Sequence, residues 1–177
     1  MTRYAVFLRG VNVGGVNLKM ADVAATLSQA GFTAVKTLLA SGNAVLSSTT
    51  SAAGVRTKAE AALRESFGYD AWVLVYPAAE LRTISADFPF QREVEGHHSY
   101  VTFVSDPEVL EELAALEPAA GELVRRGDGV LYWQVDRGDT LDSAISKTMA
   151  KKRYKSSTTT RNLRTVEKVL AWVDSAP

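Results

Sequence analysis

The sequence predicts an α+β protein made of two related ferredoxin-like (split βαβ) subdomains with a C-terminal helix, and three observations carry that prediction. Apolar runs of strand length alternate with stretches of helical period, the order of these elements nearly repeats between the two halves, and a small-residue turn of hairpin type joins two strands in each half. Hairpins separated by crossover helices imply antiparallel or mixed sheets with helices on one face. Of 177 residues, 46% are apolar and 23% charged, which excludes bulk disorder, collagen and coiled coil.

The first half opens with residues 4–8 (YAVFL), a short apolar strand, followed by the Gly- and Asn-rich loop 9–15 (RGVNVGG). Met20, Val23, Ala24 and Leu27 recur at helical spacing, with Asn17 the expected N-cap and Gly31 the expected stop. Residues 34–40 and 44–48 read as two antiparallel strands joined by Ser41-Gly42-Asn43. Ser51 then opens a helix whose Val55, Ala59, Ala62, Leu63 and Phe67 share a face. After Gly68 stops it, the unbroken apolar run 71–76 reads as a buried strand. The order is βαββαβ.

Residues 77–97 read as a connector with a short helix near 80–84. A strand at 100–104 follows, then Asp106-Pro107, an N-cap before an N1 proline, leading a helix with Val109, Leu110, Leu113 and Leu116 that Pro118 ends. Residues 122–126 and 130–135 flank Gly127-Asp128-Gly129, a second hairpin signal, and Leu141, Ile145 and Met149 mark another helix. The chain closes with a helix from about 161 to 173, its apolar face supplied by Val166, Val169, Leu170 and Val173. No final strand is expected, so the second half reads βαββα.

Twenty basic residues balance twenty acidic ones, so the molecule as a whole has no electrostatic bias toward nucleic acid or membrane. The balance hides a local separation. Residues 80–122 carry ten carboxylates against Arg82 and Arg92, whereas 147–168 carry eight bases against Glu167. Absence of cysteine excludes disulfides, thiolate metal sites and thiol nucleophiles. The longest apolar run has six residues, far short of the roughly 20 a spanning helix needs. Residues 4–8 are also too few for a signal-peptide core, so a cytoplasmic location is expected.

Two segments carry the chemistry. In the loop at 9–15 glycines permit positive φ and close backbone approach, and Arg9 adds a fixed charge at a strand end; this suits an anion as well as a tight βα connection. It is not a P-loop, because Val16-Asn17 stands where Lys-Ser/Thr belongs, and no G-x-G-x-x-G is present. Residues 156–162 (SSTTTRN), expected as a loop ahead of the last helix, offer hydroxyls, Arg161 and helix-start N–H groups to an anion. A solvated linker with Thr160 as N-cap is the structural alternative. His97-His98, an adjacent pair in an expected loop, is read as an ordinary surface pair rather than a metal site, Asp139 and Asp142 as helix-start acids, and Trp72, Trp133 and Trp172 as core.

The segments YAVFLRGVNVGG, KMADVAATLSQAGF, LLASGNAVLSS and TTTRNLRTVEKVL together resemble the bacterial DUF1697 family of unknown function. Its motifs R-G-[IV]-N-V-G-G, [QA]-S-G-N and T-T-R-N-x-x-T-V correspond here to residues 9–15, 40–43 and 159–166. The resemblance covers nearly the whole chain. It implies one domain over 1–177 built of two related α+β subdomains, approximately 1–76 and 98–177, joined by connector 77–97, and it implies no established activity. Leu163 stands where members often have tryptophan, so no stacking role is assigned there.

Apart from that resemblance, the motif turns suggest a ligand site of Arg9, Asn12, Ser41, Asn43, Thr159, Arg161 and Asn162, which Lys19 and Lys152 could join. If the turns meet, two guanidinium groups with amide and hydroxyl donors suit a phosphate or carboxylate. The expected function is therefore a binding module for an anionic, phosphate-bearing small molecule, with a nucleotide or nucleic acid as further candidates. The alternatives are a small transferase or hydrolase acting on a phosphorylated substrate, for which no clear base is present, and a protein–protein adaptor using the acidic 80–122 stretch. No cofactor, metal or membrane partner is expected, and the sequence carries no reading of oligomeric state.

Overall fold

The computed structural model describes residues 1–12 and 15–175. In order the chain forms β1 (Thr2–Arg9), α1 (Met20–Gln29), β2 (Thr33–Leu38), β3 (Asn43–Ser48), α2 (Ala52–Phe67), β4 (Trp72–Pro77) and α3 (Ala78–Ala86). Then come β5 (His97–Val104), α4 (Pro107–Ala114), β6 (Leu123–Arg126), β7 (Val130–Asp136), α5 (Ala144–Met149), β8 (Thr158–Asn162) and α6 (Leu163–Ser175), with a 3-10 turn at Lys152–Tyr154 ahead of β8.

The strands make two four-stranded antiparallel sheets, ordered β2-β3-β1-β4 and β6-β7-β5-β8. These are the same topology twice, each a complete split βαβ pair, so the α+β architecture of two ferredoxin-like subdomains with a C-terminal helix is the one present. The repetition reaches single hydrogen bonds. Leu8 N donates to Gly42 O at 2.8 Å, and Val104 N donates to Gly129 O at 3.0 Å, each tying the end of a central strand to its hairpin turn. A helix also follows the last strand of each repeat, α3 after β4 and α6 after β8. By internal contacts the chain divides into two units, residues 1–82 with the chain end from Glu167, and Thr83–Val166.

In the first unit α1 and α2 lay Val23, Leu27, Val55, Ala59 and Leu63 against Tyr4, Val6 and Leu8 of β1. Five successive β1 residues, Tyr4 through Leu8, are buried, so both faces of that strand are covered and it reads as a continuous apolar run rather than an alternating one. Along the second face run the last turns of α6, where Arg3 Nη1 donates to Val173 O at 2.6 Å and Lys36 Nζ sits 5.4 Å from the Trp172 ring centroid. Glu60 stitches α2 to β4 by accepting from Val73 N at 3.1 Å and Arg56 Nε at 2.9 Å.

The second unit repeats the scheme. Val109, Leu110, Leu113, Ile145 and Met149 cover the face of β7 that carries Leu131, Trp133 and Val135. Segment 84–92 covers the other face: Tyr132 Oη donates to Ile84 O at 2.7 Å, Gln134 Nε2 to Gln91 O at 2.8 Å, and Phe88 packs edge-on against Tyr132. A buried polar relay crosses the sheet, Trp133 Nε1 to Thr102 Oγ1 at 2.9 Å and Thr102 Oγ1 to Thr160 Oγ1 at 2.7 Å.

Several local expectations are corrected. The second half does have its final strand, β8, pairing residue for residue with β5 from Val104↔Thr158 to Tyr100↔Asn162. Its three threonines are β-branched and suit a pleated edge, a propensity that the hydroxyl-rich composition masked. Asn17 does not cap α1, which starts at Met20 with Lys19 at the cap position and no side-chain cap. Ser143, not Asp139 or Asp142, caps α5 through Ser146 N, and Leu141 lies outside that helix, 82% exposed. His97 and His98 open β5 rather than sitting in a loop. Trp133 is core at 1% exposure, Trp72 is half-buried with the Arg64 guanidinium 4.7 Å from its ring centroid, and Trp172 is 40% exposed.

Candidate functional site

Two of the motif turns meet in the first unit. Leu8 N binds Gly42 O, and the Asn12 side chain bridges the turns, donating from Nδ2 to Ala40 O at 2.6 Å and accepting Leu18 N at Oδ1, 3.0 Å. Gly42 is packed so closely that a Cβ there would stand 2.9 Å from Leu8 Cβ and 3.3 Å from Val11 Cβ. Asn43 is fully buried and donates to Leu38 O at 3.0 Å and Ser41 Oγ at 2.9 Å. The amides of Asn12 and Asn43 are thus engaged in building the turns. Arg9 is half-buried, and burial lowers its pKa from the ordinary arginine value; Ser41 and Lys19 are exposed. Val13 and Gly14 of this motif lie outside the described residues.

The third motif belongs to the second unit, and its shape differs from the expected loop. Thr158 to Asn162 is strand, so most backbone N–H groups expected to face an anion belong to a sheet segment instead. Thr159 and Arg161 are buried, and Arg161 Nη1 donates to Thr159 Oγ1 at 2.8 Å and Thr160 O at 2.9 Å. Thr160 is not the helix cap; Asn162 is the residue that accepts from α6, taking Arg164 N at Oδ1, 3.0 Å. Lys152 lies exposed in the 3-10 turn.

Where β5 begins and β8 runs into α6, the second unit opens a cleft of about 160 Å³. Its lining includes Arg92, Arg137, Arg164, His97, His98 and Asn162, with Glu93 its carboxylate. The fold explains the gathering: the antiparallel register sets His97 opposite Asp136 and Tyr100 opposite Asn162, so residues just outside those pairs meet at one end of the sheet. Arg92 is held in place by Nη1 to Ser85 O at 2.8 Å and Nη2 to Ser85 Oγ at 3.1 Å. His97 is pinned between Asp136 Oδ1, 2.7 Å from Nε2, and Glu95 O, 3.1 Å from Nδ1. Arg164 Nε stands 3.6 Å from Glu93 Oε1, and both side chains are exposed. Among the described residues the Arg137 guanidinium makes no ion pair or hydrogen bond, its backbone N alone binding Gly96 O at 2.8 Å. A cleft with three guanidinium groups and one carboxylate has the donors and the field to hold an anion.

Of the cleft residues only Asn162 was singled out from sequence as a ligand contact. Arg92 fell in the presumed connector, Arg137 just past a strand end, Arg164 inside a helix face, and the histidines in a presumed loop. The available signal was weak: basic residues immediately before or after strands that a split βαβ sheet makes neighbours. Among the described residues no group of three or more His, Asp or Glu could hold a metal ion, and no helix is long and apolar enough to cross a membrane.

Comparison with known proteins gives kinship without an activity. A family described as a protein of unknown function, DUF1697, matches residues 1–132, which takes in the first two motifs but not the third. The conserved bacterial protein SP0830 from Streptococcus pneumoniae superposes with a TM-score of 0.80 at 23% identity, covering 97% of this chain and 98% of that one, and so shares the fold. An unknown protein from Galdieria sulphuraria aligns over 98% of this chain and 89% of its own at 8% identity and a TM-score of 0.28, too weak a likeness to imply a common fold. No curated protein matches the chain.

Proposed function

Since the chain belongs to DUF1697, a family of unknown function whose kinship supplies no chemistry, we propose from its own geometry that it is a binding module for an anionic, phosphate-bearing ligand. The observation that supports this reading is the cleft of the second unit, where Arg92, Arg137 and Arg164 arrive from three separate segments with only Glu93 to oppose them. One guanidinium is already oriented by Ser85 and another has no internal partner among the described residues, so an anion would find donors whose ordering cost is partly met. His98 and Asn162 add ring nitrogens and an amide at the same wall. In this proposal Asn162 is the contact shared with the set read from the sequence, while Arg9, Lys19 and Ser41 belong to the first unit.

The test is a thermal-shift and calorimetric titration with inorganic phosphate at low salt. At 100 times its dissociation constant a ligand adds about 2.7 kcal/mol of stability, a shift of several degrees. Arg137→Ala, which removes no internal contact of that side chain, is expected to lower phosphate affinity by about tenfold, the worth of one charge-assisted contact. Arg9→Ala is the comparison: loss of binding there with Arg137→Ala unaffected would move the site to the first unit, and loss in neither would end the reading.

A further inference from the structure

Resting on that reading of the cleft, we propose that its ligand is a compact phosphomonoester that also presents a hydroxyl, a sugar monophosphate in size and chemistry, and that the cleft rejects polyanions. The first reason is space. About 160 Å³ lies below the roughly 300–1,000 Å³ of sites that enclose larger organic ligands, so the cleft holds a phosphate and the few atoms next to it.

The second reason is the sign of the surroundings. One wall is built by residues 92–99, a stretch in which Glu93 and Glu95 accompany Arg92. Glu93 lines the cleft, Glu95 is exposed next to His97, and Asp136 sits on the His97 ring. A duplex backbone brings one charge per about 1.7 Å and even a single strand carries one per nucleotide, so a polyanion lying across this mouth sets phosphates against those carboxylates. A single phosphate meets three guanidinium groups against the one carboxylate of Glu93. None of the lining residues is a lysine, and the exposed Lys151, Lys152 and Lys155 lie on another segment.

The third reason is Glu93 itself. Its carboxylate is 75% exposed and, at 3.6 Å from Arg164 Nε, beyond hydrogen-bonding distance, which leaves its oxygens open as acceptors beside the phosphate position. Inorganic phosphate reaches that acceptor only through a P–OH on the phosphorus itself, whereas a hydroxyl on the esterified carbon skeleton donates to it and leaves all three phosphoryl oxygens to the guanidinium groups. Glu93 therefore both repels excess negative charge and rewards a hydroxylated ester.

The experiment is calorimetry on the full chain with inorganic phosphate, glucose 6-phosphate, glucose and a 12-nucleotide single-stranded RNA at matched ionic strength. Glucose 6-phosphate is expected to bind about tenfold more tightly than phosphate, as one hydrogen bond to a charged acceptor provides, and glucose and RNA no more tightly than phosphate. In Glu93→Gln, whose side chain is exposed and makes no hydrogen bond, phosphate affinity should hold or rise while the sugar-phosphate advantage shrinks to about threefold or less. Equal affinity for phosphate and glucose 6-phosphate, or RNA binding tighter than either with a steep salt dependence, overturns the compact-ester proposal while leaving anion binding in place. No heat with any anion overturns both.

Discussion

Gly42 and Gly10 form a matched pair that isolates one packing contact. Both have positive φ, +84° at Gly42 and +73° at Gly10, so an alanine at either site carries the left-handed backbone penalty of about 1 kcal/mol. They differ in surroundings. A Cβ at Gly42 stands 2.9 Å from Leu8 Cβ and 3.3 Å from Val11 Cβ, both buried, whereas a Cβ at Gly10 meets nothing within 4 Å. The Gly42 methyl must push apart the first strand and the motif turn, an overpacking cost of about 1–3 kcal/mol beyond the backbone term. Gly10→Ala should thus lose about 1 kcal/mol and Gly42→Ala about 3 kcal/mol. Urea unfolding reads the difference as roughly 1 M between midpoints at a slope of about 2 kcal/mol/M, with the slope unchanged. Equal losses in the two variants would show that the two turns are not locked by this contact, and the account of the motif as a mutual structural clasp would fail.

Three further predictions rest on individual side chains. Burial first, and then Asp87 and Asp128, push the Tyr132 phenol up to about 12. The unfolded chain releases that proton near pH 10 and the folded chain only near 12, so the folded state binds more protons in that window and stability should fall as pH rises through it. Melting temperature between pH 9 and 12 measures the fall, and Tyr132→Phe should make it shallower, the buried Tyr76 phenol, also pushed up, retaining the rest; an unchanged slope would exclude Tyr132 as a source. Asn12→Ala loses two hydrogen bonds, one joining the motif turns at Ala40 O and one from Leu18 N, and should cost about 1–3 kcal/mol, while Asn17→Ala, whose residue caps nothing, should stay within about 0.5 kcal/mol in the same denaturant assay. Thr160→Val breaks the 2.7 Å bond to Thr102 and the weaker 3.7 Å one to Met149 Sδ but leaves Trp133 Nε1 its acceptor, so a loss of about 1 kcal/mol is expected with the buried-tryptophan fluorescence unmoved; a red shift of that emission would mean the relay is cooperative.

Local chemistry made most elements readable from sequence because it acts over a few residues. The Ser51 and Asp106 caps, the stop at Gly68, the N1 proline at 107 and the apolar runs in β1, β4 and β7 each declare themselves within one turn or one strand. β8 is hidden in the sequence because residues 156–162 have loop composition, and Thr158 to Asn162 form a strand only by pairing with β5, a partner more than fifty residues earlier. The cleft was illegible for the same reason. Arg92, Arg137 and Arg164 lie 45 and 27 residues apart in sequence, and only the antiparallel register of β5 with β7 and β8 gathers them. The conspicuous motif asparagines drew the eye to chemistry, yet Asn12 and Asn43 spend their amides on turn carbonyls that no sequence pattern reveals as acceptors. What the amino acids settle alone is where backbone wants to bend, extend or coil; which side chains remain for a ligand depends on what the packed fold has already satisfied.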